Sequence, residues 1–208
     1  MEVEIEKKAK ILHSEFFPKE CNSTLENSKH ICYQIAKNIH LDKNYKKKTL
    51  YIDMDGVIVD FQSGIDQLSP KEIEDYKGNY DEVPGIFSTM KPIEGAISTI
   101  KELDHLYDIY ALSTASWYNP TAWSDKLLWI KKYLPDTLFK RLILSHNKHL
   151  NIGEYLIDDR TKNGAGEFPG TLIQFKTTDP NNWKNTKEFL HKEFIKNAIK
   201  DYQIDDIK

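Results

Sequence analysis

Cysteine is nearly absent: Cys21 and Cys32 are the only two in 208 residues. They fit no zinc or redox spacing, which argues against a disulfide framework and makes a reducing cytoplasm the expected setting. Long apolar runs are missing too. None approaches the roughly 20 residues of a membrane span, which argues against an integral helical membrane protein. The start, MEVEIEKKAK, has no apolar signal-peptide segment, and acidic residues without arginine do not suit a transit peptide. There is no excess of charge. Lys+Arg total 29 against 32 Asp+Glu, a net charge of −3, whereas a binder of nucleic acid polymers is usually clearly basic. Several motifs are also lacking. There is no Walker A loop and no GxSxG elbow. Gly164, Gly166 and Gly170 do not spell GxGxxG and precede a strand pattern, not a helix. His146 and His149 form an HxxH pair, but nothing supplies zinc's remaining ligands.

What is present is a foldable chain. Hydrophobic residues make up 39 %, and Tyr 11, Phe 9 and Trp 4 are too many aromatics for a disordered protein. Residues 1–48 hold 10 lysines against 7 acidic residues, +3, so the remaining 160 carry −6. Ser23 and Glu26 make a capping-box spacing before an apolar stripe at Ile31, Ile35 and Ile39, with Cys32 and Ala36 beside it. The spacing predicts a helix from about Thr24 to His40. A weaker helical pattern covers Val3 to Phe17. The run Lys46, Lys47, Lys48 reads as a solvated linker.

From Thr49 strands and helices alternate. Thr49–Asp55, Asp108–Thr114, Arg141–Ser145, Tyr155–Asp158 and Leu172–Phe175 read as strands. Gly95–Leu106, Ser124–Leu134 (capped by Ser124, stopped by Pro135) and Trp183–Asp201 read as helices. The last has Phe189, Leu190, Phe194, Ala198 and Ile199 on its core face. Such alternation implies a parallel sheet covered on both faces. The expected fold is α/β, a Rossmann-like parallel sheet, with a small helical cap inserted after the first strand at about residues 62–91. That connection, with Pro70, Gly78, Pro84 and Gly85, runs to roughly 30 residues, too long for a plain loop. The expected organisation is a helical N-terminal extension over 1–48 and one catalytic domain over 49–208. The extension either packs on the core or forms a contact in a homodimer.

In open α/β sheets the ligand site lies beyond the carboxyl ends of the strands. Those ends carry Asp53-Met54-Asp55-Gly56, Ser113-Thr114, Asn147-Lys148 and Asp158-Asp159-Arg160. Asp53 and Asp55 are two apart and share a side of a strand. Converging carboxylates repel unless a cation sits between them. Asp53, Asp55 and Asp158 together suit a hard, oxygen-loving ion, best Mg2+, which keeps waters and phosphate oxygens beside a few carboxylates. Asp158 and Asp159 are adjacent and expected to point apart, so one alone should touch the metal. Gly56 allows a sharp turn that offers backbone N–H groups to an anion. This set suits phosphoryl transfer. Asp53 attacks phosphorus to form an aspartyl-phosphate. Asp55 protonates the leaving oxygen and then activates water. Lys148 neutralises phosphoryl oxygens and the Ser113 hydroxyl hydrogen-bonds one of them.

The order of motifs resembles the haloacid-dehalogenase-like (HAD) phosphohydrolases: YIDMDGV (Tyr51–Val57), YALST (Tyr110–Thr114), Lys148 and LIDDR (Leu156–Arg160). The resemblance covers about Lys48 to Phe175. The second aspartate, Asp55, marks the phosphatases of that superfamily. The match is closer to one branch, the 5'(3')-deoxyribonucleotidases and their bacterial relatives. It rests on DMDGV with Asp60-Phe61, on PGIF and KPIEGA (Pro84–Phe87, Lys91–Ala96), on STASW, on AWSDKLLWIKKYL and on LIDDRTKNGAG. By resemblance Phe61 and Phe87 line a nucleoside pocket, and Thr114 and Arg160 help hold substrate or phosphate. Trp117, in a loop that differs from the animal enzymes, is a further candidate substrate contact. The resemblance implies a Mg2+-dependent phosphomonoesterase acting on a small phosphate ester, a nucleoside monophosphate and best a deoxyribonucleotide, with no membrane and no nucleic acid polymer as partner. Two other readings stay open: a phosphatase of a sugar phosphate or similar metabolite, and a binding domain without catalysis.

Overall fold

The computed structural model describes Val3 and residues 25–204, with side chains inside the first helix described from Cys32 onward. The Ser23 cap, and all but Val3 of the pattern over Val3–Phe17, lie outside the described residues. The chain forms two compact units, residues 48–183 and a smaller one drawn from 1–47 and 184–208.

The larger unit is built on a five-stranded, all-parallel sheet in the order β5-β4-β1-β6-β7. The strands are β1 (Thr49–Ile52), β4 (Asp108–Ser113), β5 (Leu142–Leu144), β6 (Tyr155–Asp158) and β7 (Thr171–Gln174). β1 and β6 are buried almost throughout, while the edge strands β5 and β7 are half exposed. This is the burial expected of central strands covered on both faces. On one face Tyr51, Leu112, Leu156, Ala165 and Phe168 form a core cluster, with Phe168 edge-on to Tyr51 at 5.9 Å.

After β1 the chain makes a tight turn in which Val57, Ile58 and Val59 N–H groups all donate to the Met54 carbonyl. It then enters the insert. β2 (Val59–Asp60) and β3 (Lys91–Pro92) pair antiparallel and bracket α2 (Phe61–Ile65), α3 (Pro70–Asp75) and α4 (Ile86–Thr89). Asp60 caps α2 by accepting from Ser63 N–H. Ser69 and Glu72 form a complete capping box on α3. The expected helical cap is thus clasped by a two-stranded ribbon, a device the alternating pattern did not reveal because each strand is two residues long.

α5 (Ala96–Leu103) follows, then α6 (Ala122–Tyr133) after β4. α6 begins two residues before the expected Ser124 cap. Thr121 stands at its N-terminus, and the Ser124 hydroxyl donates back to the Thr121 carbonyl. α6 buries Ala122, Asp125, Lys126, Trp129 and Ile130, an i, i+3, i+4 stripe, while Leu127 and Leu128 face outward. In the smaller unit, α1 (Leu25–Leu41) buries Cys32, Ile35, Ala36 and Ile39. α7 (Asn182–Tyr202) buries Leu190, Phe194 and Ala198 and leaves Phe189 partly exposed. The Cys32 thiol is pushed up to about 12 by burial, so it is not a reactive thiolate. No described helix is long and apolar enough to cross a membrane.

Candidate active site

β1 lies between β4 and β6, so the chain leaves β1 toward one side of the sheet and later returns on the other. That reversal opens a crevice at the strands' carboxyl ends. The charged residues gather there. Asp53 extends β1, and its N–H donates to the Ile157 carbonyl. Lys148 opens a 3-10 turn over Lys148–Leu150. Its ammonium is 3.0 Å from Asp53 Oδ1 and 2.5 Å from Asp158 Oδ2. All three side chains are at most 3 % exposed. The turn is held from behind by the Lys148 N–H bond to the Asn163 carbonyl, 2.8 Å. Gly164, at φ +79, fits closely there: a Cβ on it would lie 2.3 Å from His149 Nδ1 and 3.0 Å from the Lys148 nitrogen.

Two connected features of the surface meet at this cluster. A narrow polar pit of about 10 Å³ is lined by Asp53, Asp55, Thr114, Lys148, Asp158 and Arg160, among others. Beside it lies a cleft of about 910 Å³, the size of a small-molecule site. Asp55, Thr114 and Arg160 line both pit and cleft, Asp159 lines the cleft, and Phe61 and Phe87 form an aromatic wall with ring centres 6.0 Å apart. A pit for a small charged group thus opens into a cleft for a larger, partly apolar one.

Not every expected residue reaches this space. Ser113 is fully buried and lines neither the pit nor the cleft. Its Oγ instead meets Lys126 Nζ at 3.2 Å. The neighbouring Thr114 lines both, and its hydroxyl donates to the Ser145 carbonyl. Trp117 is 73 % exposed, stands edge-on to His146, and is absent from the cleft wall.

The comparisons with known proteins fit this geometry. Residues 66–193 match the family described as 5' nucleotidase, deoxy (pyrimidine), cytosolic type C protein. A Vibrio phage KVP40 protein named "Putative 5'(3')-deoxyribonucleotidase" is 55 % identical over 151 residues, covering 73 % of this chain and 89 % of the phage protein. The chain belongs to this nucleotidase family. A mimivirus protein with the same designation is 29 % identical, covering 73 % of this chain and 79 % of its own. The human 5'(3')-deoxyribonucleotidase, cytosolic type, is 26 % identical, over 57 % of this chain and 74 % of the human one.

For a nucleotidase the electrostatics are informative. Carboxylate oxygens of Asp53, Asp158 and Asp159 all lie within 4.8 Å of one another, a set that could hold a metal ion. Buried Asp53 Oδ1 faces the Lys148 ammonium at 3.0 Å and buried Asp159 Oδ1 faces Arg160 Nε at 3.4 Å, yet neither accepts a well-formed hydrogen bond. The Asp55 carboxylate, expected in the metal set, turns toward Lys126, with Oδ2 2.6 Å from Nζ. Both aspartates of the Asp158-Asp159 pair join the cluster, although adjacent strand residues should point apart. The reason is that β6 ends at Asp158, so alternation no longer governs Asp159. Asp159 is also pressed against the turn after β1. A Cβ on Gly56, whose φ is +76, would stand 2.7 Å from Asp159 Oδ2. Only glycine allows that approach.

Burial is the leading cause of every carboxyl shift here. It raises Asp55 against the opposing pull of Lys126, and it raises Asp158 with help from Asp53. It pushes Asp159 up to about 6, with Arg160 opposing and Asp53 and Asp158 adding to the rise. Burial works to lower Lys148, but Asp53 and Asp158 more than offset it and leave the ammonium raised. A carboxyl raised in the folded state binds more protons there than in the unfolded chain, so stability falls as pH rises through the folded value. Metal-free protein is therefore expected to lose melting temperature between about pH 4 and 6. Asp159→Asn should flatten that slope, and saturating Mg2+ should raise the melting temperature most at the upper end, where the ligands are ionised. A melting series in EDTA and in Mg2+ reads this directly. An unchanged slope in the variant would show that Asp159 does not titrate there.

Lys126 is the residue that sequence reasoning passed over. It is 1 % exposed, bonded to Asp55 and Ser113, with its ammonium 4.4 Å from the centre of the Phe87 ring. A signal existed: Lys126 shares the buried stripe of α6 with Ala122, Trp129 and Ile130, and a lysine on an apolar stripe needs a partner.

Proposed function

We propose that this chain is a 5'(3')-deoxyribonucleotidase that removes phosphate from deoxyribonucleoside monophosphates, with Mg2+ as its resident cation. The observation that carries the reading is the Asp53–Lys148–Asp158 cluster in a pit that shares Asp55, Thr114 and Arg160 with a cleft walled by Phe61 and Phe87. The names of the phage and human relatives support the substrate class. The human relative's cytosolic designation supports a cytoplasmic setting.

The roles follow from chemistry. Asp53 attacks phosphorus, forming an acyl-phosphate bond as the bond to the nucleoside oxygen breaks. Asp55, whose Oδ1 accepts no hydrogen bond, gives a proton to that oxygen. It then takes one from the water that attacks the aspartyl-phosphate, so one group serves as acid and base in turn. Lys148 stays charged and neutralises a phosphoryl oxygen. Arg160 and Thr114, which line both pit and cleft, hold the phosphate, and Phe61 and Phe87 hold the nucleoside. Asp53, Asp158 and Asp159 would hold Mg2+, which supplies positive charge to the transferring phosphoryl group.

Phosphate release from deoxyribonucleotides, ribonucleotides and sugar phosphates, in Mg2+ and in EDTA, tests the reading. Mg2+-dependent turnover is expected, fastest on deoxyribonucleotides. A buried apolar wall disfavours an unpaired 2'-hydroxyl, and one such group is worth a rate ratio of about 10–100. Turnover confined to sugar phosphates would keep the roles of Asp53 and Asp55 and remove the nucleoside assignment. No turnover at all would favour a binding domain.

A further inference from the structure

Lys126 sits at the meeting point of three elements. Its ammonium reaches Asp55 after β1 (2.6 Å), Ser113 at the end of β4 (3.2 Å) and the face of Phe87 on α4 of the insert (4.4 Å). Burying an ammonium this completely is costly, and an apolar side chain would fill the same space beside Phe87 without that cost. The insert is tied to the same helix by other bonds. Asn119 Nδ2 donates to the Asp81 and Val83 carbonyls at 3.0 and 2.8 Å. The Gly85 N–H donates to the Thr121 hydroxyl, and Trp129 Nε1 donates to the Met90 carbonyl. With the insert already fastened by these, holding it in place does not require a charge at position 126.

What the charge does is select one oxygen of Asp55. Oδ2 is bonded to Lys126, while Oδ1 accepts nothing and Asp55 borders both pit and cleft. We propose that Lys126 is a positioning residue that pins Asp55 through Oδ2, so that Oδ1 is presented to the leaving oxygen of the substrate. The Ser113 hydroxyl, enclosed with Lys126, fixes the ammonium in turn. The assignment rests on the nucleotidase reading above and adds a residue to it. Lys126 lines neither the pit nor the cleft and acts through Asp55.

Leaving-group dependence separates this role from a structural one. A nucleoside oxygen must be protonated as it departs, whereas p-nitrophenolate leaves without a proton. kcat/KM reports only the steps through loss of the leaving group. In Lys126→Met it is expected to fall about 10²–10³-fold for a deoxyribonucleoside monophosphate, the range of a lost acid. For p-nitrophenyl phosphate it should fall less than about 10-fold, because that reaction does not draw on the acid. Lys126→Arg should recover part of the nucleotide rate by restoring a cation to Oδ2. Adding Lys126→Met to Asp55→Asn should cost little more than Asp55→Asn alone, since the two changes remove one function. Melting temperatures guard against misfolding, and Lys126→Gln, which keeps a donor, serves if the methionine variant does not fold. Equal losses on the two substrates, or a full additional loss in the Asp55→Asn background, would overturn the assignment. Wild-type protein that hydrolyses neither substrate would overturn the nucleotidase reading itself and this assignment with it, a result distinct from an active wild type with uniform losses.

Discussion

Asp53→Asn is expected to abolish phosphate release, by at least about 10⁴-fold, while leaving a folded protein whose metal-free melting temperature is no lower than wild type. The first half follows from the nucleophile's role proposed for Asp53: an amide nitrogen or oxygen does not form the acyl-phosphate, and groups that act as a unit fail together. The second half follows from the geometry. Asp53, Asp158 and Asp159 bring carboxylate oxygens within 4.8 Å of one another, and like charges that close repel. Lys148 retains Asp158 as its partner at 2.5 Å. Relief of one repulsive charge is worth about 1 kcal/mol, or roughly 2–4 °C in a chain of this size. Mg2+ should raise the melting temperature of wild type and raise that of Asp53→Asn much less, because one ligand has gone. Phosphate release by the variant above about 1 % of wild type would remove Asp53 from the nucleophile's role. A drop of many degrees without metal would make it a structural residue.

The position of Asp53 was legible because two simple rules converge on it. Thr49–Asp55 and Tyr155–Asp158 read as strands of a parallel sheet, and ligand sites lie at strand carboxyl ends. The same reasoning reached Lys148 and Asp158, and the fold sets the Lys148 ammonium 3.0 Å from Asp53 and 2.5 Å from Asp158. It did not reach Asp159, because a period of two applies only while a strand lasts, and β6 ends one residue earlier. It did not reach Lys126 either. The expected helix Ser124–Leu134 carries Lys126 beside two leucines, and polarity points to the wrong one of the three: Leu127 and Leu128 are 42 and 55 % exposed while Lys126 is buried. Ser113 and Thr114 are both expected at the phosphate, yet only Thr114 lines the pit and the cleft. β4 ends at Ser113, so the strand pattern does not say which of the two meets the cleft. The aromatic wall was legible only through resemblance. Phe61 and Phe87 are 26 positions apart, and nothing in their local patterns says that the insert folds back to place their rings 6.0 Å apart.

Lys148→Met should have the opposite stability signature to Asp53→Asn and a similar direction in activity. It removes the cation that faces Asp53 and Asp158 at 3.0 and 2.5 Å, in a site where all three side chains are at most 3 % exposed. Breaking a buried ion pair by deleting one partner costs about 3–5 kcal/mol, because the remaining charges stay buried without compensation. The metal-free protein is therefore expected to melt about 6–20 °C lower than wild type. Mg2+ should restore much of that loss, since it puts positive charge back among the same carboxylates. It should not restore turnover, which is expected to stay about 10²–10³-fold down if Lys148 has the proposed role of neutralising a phosphoryl oxygen. Lys148→Arg should rescue poorly. The backbone of the Lys148 turn is fixed by Asn163 and by the close approach of Gly164, and a planar guanidinium needs a wider slot than an ammonium. The pair of variants is decisive where either alone is not. A structural network of ion pairs predicts that both Asp53→Asn and Lys148→Met lower the melting temperature. A site that holds repelling carboxylates for phosphoryl transfer predicts that deleting an acid is tolerated and deleting the base is not, and that Mg2+ compensates only the second.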